Sequence, residues 1–173
     1  MKELILGGVR SGKSRLAERR AVDSGLAVTY IATARVGDEG MRQRVEEHRR
    51  RRPADWELVE EPLELAGALR THAAEGRCLI VDCLTLWLTQ LLCETDGARL
   101  AQERDALTDT LPGLPGHIIL IGNETNMGVL PPGELSRRYC DEAGLLHQAL
   151  AGVCDRVILT VAGLPWVLKG ETL

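Results

Sequence analysis

The residues best suited to chemistry in this chain lie near its amino terminus, in a glycine-rich segment that also holds a lysine and a serine. The segment Leu4–Ser14 contains the spacing Gly7-x4-Gly12-Lys13-Ser14, which is the Walker A pattern. Loops of this kind turn backbone N–H groups inward around a polyphosphate, and the positive end of the following helix adds to the attraction. The pattern therefore predicts a nucleotide site in which Lys13 reaches the β- and γ-phosphates and Ser14 binds Mg²⁺.

The sequence on both sides of this segment agrees with the pattern. A short apolar run ending at Leu6 predicts a buried strand, and the residues from Ser14 to Ala21 are good helix formers. The alternative is a glycine-rich turn with a solvent-exposed lysine, but strand, loop and helix occur in the order that phosphate binding requires. We therefore expect a nucleotide to contact Gly7, Gly8, Val9, Arg10, Ser11, Gly12, Lys13 and Ser14.

A second candidate is Asp82, which follows the apolar run Cys78–Val81. A carboxylate at the tip of a buried strand has the form of a Walker B group, which orders Mg²⁺ opposite the Walker A serine. An apolar run followed by Asp is a weak pattern by itself. Together with the Walker A segment, it predicts that Ser14 and Asp82 share a magnesium ion.

Two polar segments between these motifs allow more than one interpretation. Thr33–Arg35 follows an apolar run and, in an open α/β sheet, lies at the edge where ligands bind, although an ordinary polar strand exit explains it equally well. His48 precedes four consecutive arginines, Arg49–Arg52. Such a run is usually a solvated face, and His48 alone would be taken for a surface histidine. Beside a phosphate-binding loop, however, these guanidinium groups are candidates to bind a triphosphate.

Composition argues against several other classes of protein. The chain has 173 residues, 45% of them hydrophobic, which suits one domain over residues 1–173 whose core needs no metal or disulfide. A net charge of −4 argues against nucleic-acid binding. The start Met1–Glu3 is followed by too few apolar residues for a signal peptide or membrane span, so we expect a cytoplasmic protein. The five cysteines form no C-x-x-C pair, which predicts buried thiols instead of a zinc site or disulfides.

Hydrophobic periodicity predicts the elements that position these residues. Apolar runs alternate with helical patterns, an order typical of an α/β domain with a mostly parallel sheet covered on both faces. The predicted strands after the first are 27–33, 56–60, 78–83, 117–124, 156–161 and an antiparallel edge strand at 166–169. The predicted helices after the first are 38–52, 62–74, 84–93, 98–110 and 133–153. The segment 84–93 is apolar nearly all round, so it is either deeply buried or at a subunit interface.

Several motifs together resemble one family, the bifunctional adenosylcobinamide kinase/adenosylcobinamide-phosphate guanylyltransferases of cobalamin assembly. The most specific of these motifs is His48 just ahead of the Arg52-Pro53-x-x-Trp56 element. The matching segments run over essentially the whole chain. Besides the His48 motif, the matching segments are 7–15, 30–34, 82–85, 123–124, 127–128 and 161–165.

The resemblance implies a RecA-like P-loop fold, a homotrimer and two reactions. ATP or GTP phosphorylates the aminopropanol hydroxyl of adenosylcobinamide, and GTP then guanylylates the adenosylcobinamide phosphate, giving adenosylcobinamide-GDP. The large corrinoid is expected to bind between subunits. The family's guanylylated histidine corresponds to His48. Its nucleotide contacts correspond to the Walker A segment and to Ala32, Thr33, Ala34, Arg49, Arg50, Arg51, Arg52, Glu60 and Asp82.

This chain departs from the family's pattern at two places. Many relatives carry Asn-Glu-Val-Gly where this chain has Asn123–Asn126, and a glutamate is common at the position of Asp82. Asn accepts left-handed backbone conformations better than most residues, so we expect the loop to keep its shape with Asn126 in place of glycine.

Two other functions are open on the residues alone. A P-loop kinase acting on a nucleoside or small alcohol would use Lys13, Ser14 and Asp82 and leave His48 idle. A RecA-like regulatory module would couple NTP hydrolysis to the assembly of partners. The chain has no Asn-Lys-x-Asp motif, which reads guanine in signalling GTPases, and its length leaves little room for a partner-binding domain. Covalent label from GTP labelled at the α-phosphate would separate the three.

Overall fold

A seven-stranded sheet forms the centre of the chain in a computed structural model that describes residues 1–35, 40, 42, 53–94 and 97–172. The strands are β1 (Lys2–Gly7), β2 (Ala27–Ala32), β3 (Glu57–Glu60), β4 (Arg77–Asp82), β5 (His117–Asn123), β6 (Arg156–Val161) and β7 (Leu164–Lys169). Their order across the sheet is β3-β2-β4-β5-β1-β6-β7. Neighbouring strands are parallel except for the antiparallel pair of β6 and β7. The predicted mostly parallel sheet with an antiparallel edge strand is confirmed.

Helices cover both faces of the sheet. The α-helices of the described residues are α1 (Lys13–Asp23), α2 (Leu65–His72), α3 (Leu84–Glu94), α4 (Leu100–Thr110) and α5 (Glu134–Val153), with a 3-10 turn at Leu111–Gly113. On one face, Leu16 and Ala17 of α1 pack against Ile5 and Ile121 of the sheet. The other four helices share the core on the opposite face. Because each central strand lies between two apolar layers, its sequence is an unbroken apolar run.

The apolar segment predicted at 84–93 is α3, and the chain covers it without a second subunit. Trp87 is fully buried, and its indole Nε1 donates a hydrogen bond of 2.8 Å to the carbonyl oxygen of Leu63. The other buried side chains of this helix are Leu84, Leu88, Leu91 and Leu92. Burial within the chain therefore explains its composition. None of the helices in the described part of the chain is long and apolar enough to cross a membrane.

Several boundaries differ from the sequence-based expectation. The helix expected at 62–74 begins at Leu65, because Glu61 Oε1 first accepts hydrogen bonds from the N–H groups of Leu63 (2.9 Å) and Glu64 (2.8 Å). The edge strand expected at 166–169 begins two residues earlier, at Leu164. Its Pro165 pairs with Thr160, and an edge position tolerates proline because one side of the strand needs no N–H donor.

The remaining differences concern the thiols and the segment 38–52. Three of the five cysteines are buried as expected, but Cys83 is only partly buried and Cys93 is exposed. The predicted helix at 38–52 lies outside the described residues apart from Gly40 and Arg42.

A buried carboxylate ties three elements together at the amino end of the sheet. Glu3 of β1 has no exposed side-chain surface and forms ion pairs with Arg20 of α1 and, at 2.7 Å, with Arg156 of β6. His117 Nε2 of β5 lies 3.5 Å from Glu3 Oε2. Burial alone would raise the pKa of Glu3. The hydrogen bonds and charges of His117 and Arg20 outweigh this effect and lower the pKa to about 2. Glu3 is therefore ionised at neutral pH and acts as a structural anion.

We expect Glu3 to make folding sensitive to acid. Its pKa falls from 4.5 to about 2 on folding, so its stabilisation is complete above the unfolded pKa and is lost as the pH falls toward 2. A shift of this size corresponds to about 3 kcal/mol. Urea unfolding at neutral pH and at about pH 3 measures this effect. Between these two pH values, the free energy of unfolding of wild type should fall by about 2 kcal/mol more than that of Glu3→Gln. The exposed Glu75→Gln should keep the pH dependence of wild type, and equal slopes for wild type and Glu3→Gln would contradict this role.

Candidate active site

The glycine-rich segment between β1 and α1 forms a tight loop. Arg10 and Gly12 both have positive φ, at 56° and 98°. The N–H of Ser11 donates to the carbonyl oxygen of Gly8 (3.2 Å), and the N–H of Gly163 donates to the carbonyl oxygen of Ser11 (2.9 Å). The loop is thus closed on itself and fixed to the turn between β6 and β7. Since α1 begins at Lys13, its unpaired N–H groups open into this loop, as an anion site requires.

Packing explains two of the three glycines in the loop. A Cβ at Gly7 would lie 2.4 Å from the carbonyl oxygen of Thr160 and 2.6 Å from Ser11 Oγ. A Cβ at Gly12 would lie 3.2 Å from the Cα of Gly163, at a φ that favours glycine. At Gly8, by contrast, no atom lies within 4 Å of the added carbon. Gly7 and Gly12 are therefore needed by the fold, whereas the space beside Gly8 is open.

Lys13 lies across the loop. It is 8% exposed, and its Nζ donates to the carbonyl oxygen of Gly8 at 2.6 Å and approaches Ser11 Oγ at 3.5 Å. Burial lowers the pKa of Lys13, and Cys83 and Asp82 oppose this change. A cation held against the loop by neutral acceptors can exchange them for phosphate oxygens, which bind it more strongly.

Asp82 is held beside the first turn of α1. Its Oδ2 accepts hydrogen bonds from Ser14 Oγ (3.0 Å) and from the hydroxyl of Tyr30 (2.7 Å). Tyr30 is 4% exposed, so the core fixes its hydroxyl and with it the carboxylate. The serine and carboxylate oxygens are hard donors suited to Mg²⁺. The described residues contain no group of three or more His, Cys, Asp or Glu side chains that could hold a metal ion.

Thr33 directly follows β2 and is buried beside the end of β4. Its Oγ1 donates to the carbonyl oxygen of Cys83 (2.8 Å) and accepts from the N–H of the same residue (2.9 Å), and the Asp82–Cys83 peptide bond is cis. Its carbonyl oxygen accepts a hydrogen bond of 2.6 Å from Gln90 Nε2 of α3. Thr33 thus fixes the backbone that follows Asp82, and its contact with a nucleotide stays a prediction. Arg35 forms an ion pair with Glu94 of α3.

The parallel register brings most of the predicted site residues to one edge of the sheet. Ala32 pairs with both Glu60 and Asp82, and Ala34 follows shortly after. Glu60 is exposed at the end of β3. The loop Gly7–Ser14 lies at the same edge because β1 runs parallel to these strands. His48 and the arginines Arg49, Arg50, Arg51 and Arg52 lie outside the described residues, so their roles stay predictions.

The loop after β5, where this chain departs from the family's pattern, is anchored by Asn126. The N–H of Asn126 donates to Glu124 Oε1 at 2.6 Å, and its Nδ2 donates to the carbonyl oxygen of Cys140 in α5 at 3.0 Å. The non-glycine residues of the described chain with positive φ are Arg10 and Ala162, so Asn126 does not use a left-handed conformation. The reason expected from sequence is wrong, because side-chain hydrogen bonding holds this loop.

Sequence reasoning assigned no role to several polar groups near this edge. Thr85 Oγ1 accepts a hydrogen bond of 2.8 Å from the N–H of Asn123, and Gln90 bonds to Thr33. His147 of α5 is buried beside Glu124, with 3.8 Å between Nδ1 and Oε2. A signal for Thr85 and Gln90 was available, because they are polar positions in the otherwise apolar α3. His147 gave none, because its partner is distant in sequence.

Comparison with known proteins decides the family. A profile of the cobinamide kinase/cobinamide phosphate guanyltransferase family matches residues 3–168. The chain belongs to this family. The bifunctional adenosylcobalamin biosynthesis protein CobP of Pseudomonas aeruginosa is 65% identical over 173 residues, covering all of both chains. The corresponding CobU proteins of Escherichia coli and Salmonella typhimurium are 34% and 33% identical over 182 residues, covering 98% of this chain and 100% of each relative.

Membership of the cobinamide kinase/guanyltransferase family confirms the resemblance drawn from the motifs. It also confirms the prediction of an enzyme that combines kinase and nucleotidyltransferase activities, in adenosylcobalamin biosynthesis.

Solved structures show the fold by a separate route. The RadB recombinase aligns with a TM-score of 0.50 at 17% identity, and the alignment covers 91% of this chain and 73% of the RadB chain. The P4 protein of bacteriophage phi6 in complex with ADP aligns with a TM-score of 0.51 at 14% identity, over 95% of this chain and 52% of its own. At these identities the likeness concerns the fold alone, and it confirms a RecA-like P-loop NTPase architecture.

We expect the glycines of the loop to differ sharply in their tolerance of a methyl group. Gly7→Ala forces a Cβ onto the carbonyl oxygen of Thr160, so it should lower the free energy of unfolding by about 1–3 kcal/mol or more. The added Cβ of Gly8→Ala would lie in open space, so this variant should change the free energy of unfolding by less than about 1 kcal/mol. Urea denaturation of the two variants measures the difference. Equal stability of the two would show that the packing at Gly7 is not limiting.

Proposed function

We propose that this chain catalyses both reactions of its family at a single nucleotide site in one P-loop domain. ATP or GTP phosphorylates adenosylcobinamide, and GTP then donates GMP to the product, giving adenosylcobinamide-GDP. The observation that carries this proposal is the convergence of Lys13, Ser14 and Asp82 beside a phosphate-binding loop. It occurs in a chain that is 65% identical over its whole length to a bifunctional adenosylcobalamin biosynthesis protein.

In the kinase reaction the loop holds the triphosphate and the substrate hydroxyl attacks its γ-phosphorus. The N–H groups at the start of α1 bind phosphate oxygens, and Lys13 moves from the Gly8 carbonyl to the β- and γ-phosphates. Ser14 and Asp82 are the residues that would hold Mg²⁺. When bound, this ion neutralises charge that develops on the phosphates. Tyr30 keeps Asp82 aimed at Ser14 by its hydrogen bond of 2.7 Å.

In the guanylyl transfer we assign the nucleophile to His48. Its imidazole nitrogen attacks the α-phosphorus of GTP, the bond to the β-phosphate oxygen breaks, and pyrophosphate leaves. The phosphate of adenosylcobinamide phosphate then takes GMP from the histidine. Arg49–Arg52 support this assignment, because guanidinium charge attracts the triphosphate and stabilises the transferring group. Their charge also favours the neutral, nucleophilic form of the imidazole.

The two reactions should separate by mutation. Lys13→Ala should reduce both activities by at least about a hundredfold, because both must hold the triphosphate. His48→Asn should abolish covalent GMP and guanylyl transfer while sparing most of the kinase, which needs no histidine nucleophile. Label from GTP marked at the α-phosphate, followed after denaturation, measures the adduct. Kinase assays on the same preparations measure the other reaction.

His72→Asn is the matched control, because this partly buried histidine of α2 faces Glu57, away from the loop. It should keep the covalent label. Stable label in His48→Asn would show that another residue is the nucleophile. Wild type without label but with kinase activity would indicate a simple P-loop kinase, and NTP hydrolysis alone would favour a regulatory module.

We also infer a homotrimer in which the outer face of β7 contacts a second copy of the chain. Leu164, Trp166 and Leu168 alternate along this edge strand, so they lie on one face of it. They are 72%, 63% and 51% exposed, respectively. An apolar strip at a sheet edge is typical of an association surface. With α3 covered by its own chain, β7 is the stronger candidate for this role.

Light scattering at micromolar concentration should give the mass of a trimer. Trp166→Asp places a charge in the apolar strip and should shift the protein to monomers. Leu145→Asp is the control, because Leu145 is an equally exposed leucine, at 52%, on α5. A monomeric wild type would contradict the trimer, and dissociation by Leu145→Asp but not Trp166→Asp would move the interface to α5.

A further inference from the structure

A carboxylate with no assigned role lies next to the phosphate-binding loop. Glu124 directly follows β5, the strand between β1 and β4, so it lies between the loop after β1 and Asp82 at the end of β4. Its N–H donates a hydrogen bond of 3.0 Å to the carbonyl oxygen of Gly7. The backbone of Glu124 is therefore fixed to the first residue of the loop.

The two carboxylate oxygens of Glu124 have different surroundings. Oε1 accepts the hydrogen bond of 2.6 Å from the N–H of Asn126, which sets the orientation of the group. Oε2 lies 3.8 Å from His147 Nδ1 and accepts no hydrogen bond from the described residues. The side chain is 16% exposed, so it reaches solvent at the open edge of the sheet. One oxygen is thus held by the protein, and the other can accept a proton.

His147 forms the inner wall behind this carboxylate. It is 9% exposed, and its Nδ1 forms no hydrogen bond with the described residues. A Cβ at Gly122 would lie 3.1 Å from His147 Nε2, so the ring packs directly on β5. Burial lowers the pKa of His147 and so favours the neutral imidazole, and the charge of Glu124 opposes this change. A neutral ring behind Glu124 adds no positive charge that would stabilise the carboxylate and weaken it as a base.

We propose that Glu124 is the general base of the kinase reaction, accepting the proton of the substrate hydroxyl at Oε2. The inference rests on the proposed function, since it assigns a residue to one of its two reactions. A base must lie within hydrogen-bond reach of the attacking hydroxyl, which approaches the γ-phosphorus from the side opposite the leaving group. Glu124 is anchored to Gly7 and its side chain reaches the open edge beside the loop, which makes it the candidate for this position.

The step balances in atoms and charge. The hydroxyl oxygen forms a bond to the γ-phosphorus, and the bond from that phosphorus to the bridging oxygen of the β-phosphate breaks. The hydroxyl proton passes to Glu124 Oε2, and the nucleoside diphosphate keeps the electron pair of the broken bond. Solvent at the open edge then takes the proton from Glu124. Formation of the GMP–histidine bond releases pyrophosphate and involves no substrate hydroxyl, so it does not need Glu124.

Glu124→Gln tests this assignment, because the amide keeps an oxygen for the N–H of Asn126 and loses the ability to take a proton. We expect kcat of the kinase to fall by about 10²-fold or more, with the KM for nucleotide within about threefold of wild type. Covalent labelling by GTP marked at the α-phosphate should proceed at the wild-type rate. Glu75 is an exposed carboxylate just before β4, at the opposite end of the sheet, so Glu75→Gln should leave both activities unchanged.

A second variant guards against a loss of folding. Glu124→Asp keeps the charge and shortens the side chain by one carbon, so it should lose part of the kinase activity and keep the labelling reaction. Glu124→Gln with a kinase kcat within about threefold of wild type would overturn the inference while leaving the proposed function intact. Parallel loss of kinase and labelling in a folded Glu124→Gln would also overturn it, because it would indicate a role in nucleotide binding. A wild-type protein with neither activity would overturn the proposed function itself.

Discussion

The close packing of β1 between β5 and β6 is the constraint on which the rest of the site depends. Gly7 pairs with Asn123 on one side and Thr160 on the other, and leaves no room for a side chain. Only glycine fits at this point, where β1 ends, and the loop that follows leads into α1 at the ends of the strands. Because all the neighbouring strands run in the same direction, their polar ends meet at this edge. Asp82 and Glu124 reach the loop for this reason, although they are far from it in sequence.

The carboxylates at the two ends of the sheet have different surroundings. At the amino end, Glu3 has no exposed surface and is surrounded by Arg20, Arg156 and His117, so its charge is matched within the fold. At the carboxyl end, Asp82 is partly exposed and is held by the hydroxyl of Tyr30, while the hydroxyl of Ser14 can turn when a cation arrives. The first arrangement stabilises the chain. The second holds a carboxylate in place for a ligand.

Sequence predicted the parts of this structure that follow from local pattern. The loop Gly7–Ser14 and the long apolar strands have periodic or glycine signals, and Asp82 follows from its strand. Contacts between distant residues had no such signal: the pairing of Tyr30 with Asp82 and of His147 with Glu124 depends on strand order, which periodicity does not give. The predicted start of α2 was wrong because the side chain of Glu61, instead of a backbone carbonyl, accepts the hydrogen bond from the N–H of Leu63. The proposed role of His48 comes from the family resemblance, because no local pattern singles this residue out, and it stays a prediction.

Hydrogen bonds of Asn126 hold the loop after β5. Asn126 donates through its side chain to Cys140 of α5 and through its backbone to Glu124. The position of α5 allows this, since Gly144 leaves space there: a Cβ at that residue would lie 3.1 Å from Asn126 Nδ2. Asn126 and the glycine on α5 are therefore coupled, because a larger residue at 144 would push the amide from its carbonyl partner. Asn126 therefore anchors the loop to α5 and orients the carboxylate of Glu124 at the same time.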